Sequence, residues 1–155
     1  MEDSEKLAAK ARLKRWALDL IGQRIAVTRE AIDQAQQSAN QEEKSSAGDK
    51  YETGRAMGHL QKDMHARQLT EYIKELATLH SVNTDILYAA AGPGAFIQTS
   101  QIAFFIAAGL GKQQPDGRTI YFLSPLAPLA KGLHNKKAGD CVVFNNASLT
   151  ILEIY

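Results

Sequence analysis

The fold of this chain is decided by residues 7–35, which read LAAKARLKRWALDLIGQRIAVTREAIDQA. Selected positions recur at alternate steps of four and three residues, which is the spacing of the a and d positions of a coiled coil. The pattern predicts one helix over residues 4–38, about 50 Å long at ~1.5 Å per residue. Because its apolar stripe is narrow, this helix needs a partner to be stable. The seam positions are Leu7, Ala11, Lys14, Leu18, Ile21, Ile25, Thr28, Ile32 and Ala35, with Lys14 and Thr28 as polar interruptions.

A second helix is predicted over residues 51–80, with Gly54 and Gly58 lowering helix propensity near its start. The polar residues 38–50 between the two helices predict a turn. Two helices of similar length with a short connector favour an antiparallel hairpin, with its tip near residues 38–50, over pairing between chains. The apolar positions of the second helix are predicted at Leu60, Met64, Leu69, Ile73, Leu76 and His80.

The composition changes near residue 82. No proline precedes this point, whereas all four prolines and most of the glycines follow it, among β-branched and aromatic runs. This change predicts an α+β fold, with a helical hairpin over residues 1–82 and a small β-sheet domain over residues 83–155. Strands are predicted at 86–91, 95–99, 102–108, 118–123, 141–144 and 149–154, turns at 92–94, 109–117, 139–140 and 145–146, and a short helix at 128–134.

The bulk properties exclude several classes of protein. With 18 basic and 17 acidic residues, the net charge of +1 argues against independent DNA binding, which needs a basic surface. The single cysteine permits no disulfide within the chain and favours a reducing cytoplasm. The N-terminus is acidic and the longest apolar run is too short for a bilayer, so we expect a cytoplasmic protein without a membrane partner.

The most specific stretch of the chain is SPLAPLAKGLHNKKAGD, residues 124–140. It resembles the C-terminal signature of the Gre family of bacterial transcript-cleavage factors, and LTILEI at 149–154 is similar to the family's final strand. This chain departs from the pattern with Ala127 in place of a capping serine and Asn135 in place of a glycine. The resemblance implies an N-terminal helical hairpin followed by an FKBP-like sheet domain with one short helix.

The signature segment, residues 124–140, also has a physical reading of its own. Leu126, Leu129 and Leu133 have the spacing of one helical face, and Asp140 can brace a turn at Gly139.

The resemblance to the Gre family implies an RNA polymerase-binding elongation factor with no catalysis of its own. Its hairpin tip would enter the polymerase secondary channel and help to hold a second Mg²⁺ for cleavage of backtracked RNA, with indirect contact to nascent RNA. Mg²⁺ takes oxygen ligands and needs only one or two carboxylates from a protein. The predicted metal ligands are Glu42, Glu43 and Asp49, and the predicted partner-binding residues are Ser45, Ser46, Lys136 and Lys137.

Two other functions stay open. If Tyr51 aligns with the tyrosine that follows the family's tip, the family's two acidic positions fall on Lys44 and Ala47, which favours a channel-binding regulator or inhibitor without cleavage activity. A coiled-coil adaptor or chaperone unrelated to polymerase is the third possibility. Prolyl isomerase activity is disfavoured because the aromatic side chains lie in strand runs typical of a core, namely Phe104, Phe105, Tyr121 and Phe122.

Isolated polar residues carry less information. Cys141 is predicted to be a small buried residue of a strand. The four histidines show no metal-ligand spacing, and those of the second helix are predicted at its surface or seam. The basic cluster of Lys10, Arg12, Lys14 and Arg15 is predicted to balance acids on the facing helix.

Overall fold

The computed structural model describes residues 1–44 and 48–155, with side chains for all of these except residues 42–44, 48–52 and 55. It confirms the predicted α+β class, because a pair of long helices precedes a six-stranded mixed sheet with one short helix. The elements are α1 (Asp3–Lys44), α2 (Gly48–Ser81), β1 (Phe96–Thr99), β2 (Ala103–Ile106), β3 (Gly111–Gln113), a 3₁₀ helix (Pro115–Gly117), β4 (Ile120–Leu123), α3 (Pro128–Leu133), β5 (Cys141–Phe144) and β6 (Ala147–Ile154). None of the described helices is long and apolar enough to cross a membrane.

The chain forms two compact units. The first contains residues 1–19 and 75–155, and the second contains residues 20–74. The first unit therefore includes the start of α1, the end of α2 and the whole sheet, and the second includes the remainder of both helices. The change of composition near residue 82 coincides with the end of α2 at Ser81.

The sheet of the first unit has the strand order β3-β4-β2-β1-β6-β5. Strands β2 and β4 are parallel and all other described neighbours are antiparallel. Asn145 and Asn146 join β5 to β6 with φ of 50° and 63°, the left-handed values that a tight hairpin turn requires. The core on one face of the sheet, which α3 covers, contains Ala91, Ile97, Phe104, Ile106, Ala130, Leu133, Val142, Leu149 and Ile151.

Aromatic side chains of the sheet meet the first turns of α1. Trp16 stacks on Phe122 with ring centroids 5.4 Å apart, and Lys6 forms a 2.8 Å ion pair with Glu153. Here α1 packs on a sheet, which is broader than a second helix. The buried positions of α1 therefore differ from those of the predicted coiled-coil seam. Ala17 is therefore buried, whereas Ala11, a predicted seam position, is exposed.

The strand predicted at residues 86–91 is wrong, because the chain from Asn83 to Ala95 contains no strand. Hydrogen bonds other than a sheet ladder hold this connection. The Tyr88 hydroxyl donates to the Asn83 carbonyl oxygen at 2.6 Å, and the Ala91 N–H donates to the Lys136 carbonyl oxygen at 2.8 Å. The other strands lie within or next to their predicted ranges, but the predicted turn at 109–117 also contains β3 and the 3₁₀ helix.

The helices of the second unit pair in antiparallel orientation, as predicted. Lys62 Nζ donates to Gln36 Oε1 at 2.7 Å, and the Arg24 guanidinium lies 6.0 Å from the centroid of the Tyr72 ring. Both helices also extend beyond their predicted ends, since α1 continues to Lys44 and α2 begins at Gly48. The connection is therefore shorter than the predicted turn at 38–50. The residues that follow Ser38 on α1 include good helix formers, and Ala39 is buried.

The seam of α2 differs from the predicted one. Leu60, Met64 and Ile73 are exposed by 70%, 57% and 44%, whereas Gly58 is buried. A Cβ at Gly58 would lie 3.2 Å from the Ala39 Cβ, so the absence of a side chain permits close approach of the helices. The predicted seam was based on large apolar residues and did not include glycine as an interface residue. Leu69 and Leu76 lie at half-buried positions, as predicted. The other half-buried or buried positions described on α2 are Gly54, Gly58, Lys62, His65, Tyr72, Glu75, Thr78 and Leu79.

Candidate partner-binding site

An open groove lies in the first unit beside α3, and the signature segment contributes much of its wall. Its volume is about 370 Å³. Leu126 is 75% exposed at this groove. The groove is lined by Gly92, Pro93, Ile106, Pro125, Leu126, Ala130, Lys131 and His134.

The exposure of Leu126 follows from where α3 begins. Pro128 occupies the first turn of the helix, so Leu126 lies before the helix and outside its apolar face. The Ser124 hydroxyl oxygen accepts the Leu126 N–H at 3.2 Å and holds this leucine in a turn. The prediction that Leu126 shares a helical face with Leu129 and Leu133 is therefore wrong, because Leu126 precedes the helix; Leu133 is fully buried, whereas Leu126 is exposed.

The other end of α3 is held by a residue in the left-handed conformation and by its backbone hydrogen bond. Asn135 has φ of 66°, a left-handed value typical of a residue that ends a helix, and its N–H donates to the Ala91 carbonyl oxygen at 2.9 Å. The Asp140 carboxylate accepts the Lys137 N–H at 2.8 Å, so it braces the turn as predicted. These contacts fix the backbone that carries the basic residues after α3.

The border of the groove and the turn beyond it are basic. Lys131 and His134 line the groove and are exposed, Lys137 is exposed, and Lys136 is half-buried. The nearest acid in the segment, Asp140, already accepts a backbone hydrogen bond. An apolar floor with a basic border fits a protein segment that presents apolar side chains beside carboxylates.

The predicted tip residues are only partly described. Glu42 and Glu43 lie in the last turn of α1 and Asp49 in the first turn of α2, but their side chains lie outside the described part of the structure. Ser45 and Ser46 lie outside the described residues altogether. The side chains described elsewhere in the chain form no group of three or more metal-ligating residues.

Two predictions for polar residues are wrong. Cys141 is exposed, because β5 is an edge strand whose Val142 faces the core, so that the neighbouring cysteine faces solvent. Lys10 is fully buried and its Nζ donates to the Ile86 carbonyl oxygen at 2.8 Å, so it does not balance acids on a facing helix. Lys10 Nζ also lies 4.7 Å from the centroid of the Tyr88 ring. Nothing in the sequence indicated that Lys10 would face the sheet and be buried there.

Comparisons with protein-family models, curated proteins and solved structures found no match to this chain.

Proposed function

We propose that this protein binds bacterial RNA polymerase, with its helical hairpin in the secondary channel and the groove beside α3 on the polymerase surface, and that it stimulates cleavage of backtracked RNA. The observation that carries this proposal is the exposed, basic-bordered groove built from the signature segment. The polymerase would supply the catalytic centre, so the protein needs no active site of its own.

The groove supports the partner-binding part of the proposal. A leucine that is 75% exposed, beside Lys131 and His134, is suited to a desolvated contact with an apolar and acidic surface. Lys136 and Lys137 follow directly and would extend the basic border toward the same surface.

The antiparallel pairing of α1 and α2 supports the cleavage part. It brings the chain that carries Glu42, Glu43 and Asp49 to the end of a helix pair, where α1 ends at Lys44 and α2 begins at Gly48. Carboxylates in such a position are suited to hold a Mg²⁺ ion that the polymerase also ligates.

The test is transcript cleavage in stalled, backtracked elongation complexes built with the cognate polymerase. We expect the native protein to accelerate cleavage, and the triple variant Glu42→Ala, Glu43→Ala and Asp49→Ala to bind polymerase without accelerating it. The failure of the native protein to bind polymerase would contradict the proposal and leave a coiled-coil adaptor as the alternative.

A matched pair of leucine variants tests the groove. Leu126→Ser should weaken polymerase binding by about tenfold, because a central apolar contact of an interface is lost. Leu152→Ser removes a leucine that is 59% exposed on β6 and does not line the groove, so it should leave binding unchanged. Equal effects of the two variants would argue against the groove as the contact surface.

A second function is favoured by the composition of the tip. If Tyr51 aligns with the tyrosine that follows the family's tip, Lys44 and Ala47 occupy the two positions where the family pattern has acids. A protein that occupies the channel without completing the metal site would bind polymerase and inhibit a true cleavage factor. Polymerase binding combined with competition, and without cleavage, would support this function over the first.

A further inference from the structure

A second cleft lies in the first unit, on the sheet face that packs against α1. Unlike the groove, it is bordered by charged residues of both signs. Its volume is about 210 Å³. Its apolar wall includes Leu13 and Trp16 from α1 and the buried side chains of Phe96, Ile120 and Tyr155 from the sheet and the residue after β6. Its charged residues are Arg12, Arg118 and Asp116, all of which are exposed.

One of the three charged side chains already interacts with other residues of the protein. The Arg118 guanidinium donates to Gln98 Oε1 and lies 5.2 Å from the centroid of the Phe96 ring. Burial raises the pKa of the Tyr155 phenol, and the nearby Arg118 only partly offsets this. Arg118 is therefore a fixed part of the wall.

The other two charged groups have no such partner. Among the described residues, neither Arg12 nor Asp116 has a hydrogen bond or an ion pair through its side chain. The cleft thus combines an apolar wall with one unengaged cation and one unengaged anion, of which the cation can bind a carboxylate in bidentate fashion.

The size and charge of the cleft narrow the class of ligand. Pockets for drug-sized ligands and cofactors are about 300–1,000 Å³, so this cleft is suited to a smaller molecule than a nucleotide. A simple anion would leave Asp116 unpaired and facing like charge. The end of a peptide chain carries either an ammonium or a carboxylate, but not both. A free α-amino acid carries both groups beside its side chain.

We propose that this cleft binds a free α-amino acid with an apolar side chain. Arg12 binds the carboxylate, Asp116 accepts hydrogen bonds from the ammonium group, and the side chain packs against Leu13, Trp16 and Ile120. This site is separate from the groove beside α3, and its test does not depend on polymerase.

The experiment titrates the full-length protein with three probes and follows the emission of Trp16, the single tryptophan of the chain. L-Leucine carries both charges, isocaproate only the carboxylate and isoamylamine only the ammonium, while all three share one aliphatic side chain and are transparent to the excitation light. We expect saturable binding of leucine, with each single-charge probe weaker by about fivefold to tenfold. Isothermal titration calorimetry with the same probes detects binding that leaves the emission unchanged.

Two variants that each remove one charge identify which residue binds the carboxylate and which binds the ammonium group. Arg12→Gln should weaken leucine and isocaproate but not isoamylamine, and Asp116→Asn should weaken leucine and isoamylamine but not isocaproate. Arg15→Gln and Asp19→Asn are matched controls, since both residues are exposed on α1 and do not line the cleft. The proposal is overturned if leucine produces neither a saturable emission change nor heat at millimolar concentrations. It is equally overturned if isocaproate binds as tightly as leucine, or if the control variants act like the cleft variants.

Discussion

At the scale of single residues, Lys10 links the stability of the first unit to pH. Burial lowers the pKa of Lys10 from 10.5 to about 8, and the nearby Asp85 only partly offsets this. The unfolded chain therefore binds more protons than the folded one between pH 8 and 10.5. Stability should rise with pH across this window, by at most about 1.4 kcal/mol per pH unit.

Replacement of Lys10 tests this linkage. In Lys10→Met, the free energy of unfolding should lack the rise between pH 8 and 10.5 that we expect of the native protein. Chemical denaturation at several pH values measures the difference, and Lys112→Met is the control because Lys112 is exposed on β3. Burial also raises the pKa of Tyr88, but this tyrosine is present in both proteins. Parallel stability curves for Lys10→Met and the native protein would contradict the linkage.

A second residue-scale prediction concerns Gly94. Its φ is 91°, and a Cβ there would overlap the Asn83 carbonyl oxygen. Gly94→Ala should destabilise the protein by about 2 kcal/mol or more, through backbone strain and displacement of the 83–95 connection. Gly132→Ala is the control, since a Cβ there meets nothing within 4 Å. Thermal unfolding of the two variants measures the difference, and a Gly94→Ala midpoint equal to the native one would contradict this account.

At the scale of the elements, replacement of two glycines of the helix pair should change its stability in opposite directions. Gly22 lies in α1 with nothing within 4 Å of an added Cβ, so Gly22→Ala should stabilise the helix by about 0.5–1 kcal/mol. Gly58→Leu places a large side chain against Ala39 and the Ala35 carbonyl oxygen, and should destabilise the helix pair by about 1–3 kcal/mol. Circular dichroism during thermal unfolding reports both changes. A stabilising effect of Gly58→Leu would show that the seam assigned to α2 is wrong.

At the scale of the whole molecule, the pairing of the helices permits a deletion that preserves register. Arg24 pairs with Tyr72, Gln36 with Lys62 and Ala39 with Gly58. Removal of residues 26–32 and 65–71 keeps all of these contacts and shortens each helix by about 10 Å. The shortened protein should fold, and under the proposed function it should still bind polymerase through the groove but fail to stimulate cleavage.

Binding and cleavage assays with the shortened protein check this outcome, after circular dichroism has verified its folding. A control deletion of residues 26–32 alone removes seven residues from one helix only, so it should disturb the pairing. Full cleavage by the register-preserving variant would contradict a role for the length of the hairpin.

Much of the fold could be predicted because its signals are local. The coiled-coil spacing predicted α1, and the prolines, glycines and β-branched residues predicted β5 at its exact bounds of 141–144 and α3 to within one residue. The candidate site was predictable only in part. Residues 124–140 were singled out by their sequence, but the exposure of Leu126 depends on where α3 begins, and the side chains of the tip acids lie outside the described residues.

The sequence alone indicated the α+β class, favoured the antiparallel hairpin and identified the Asn145–Asn146 turn of the sheet, because periodicity, propensity and backbone restriction act between near neighbours. Only the tertiary structure decided which faces are buried. Lys10 is buried and Ala11 exposed because α1 packs on a sheet, whereas Gly58 is buried and Leu60 exposed because the close approach of α2 to α1 requires a residue without a side chain. Burial depends on the shape of the partner surface, and residues far apart in the chain supply that surface.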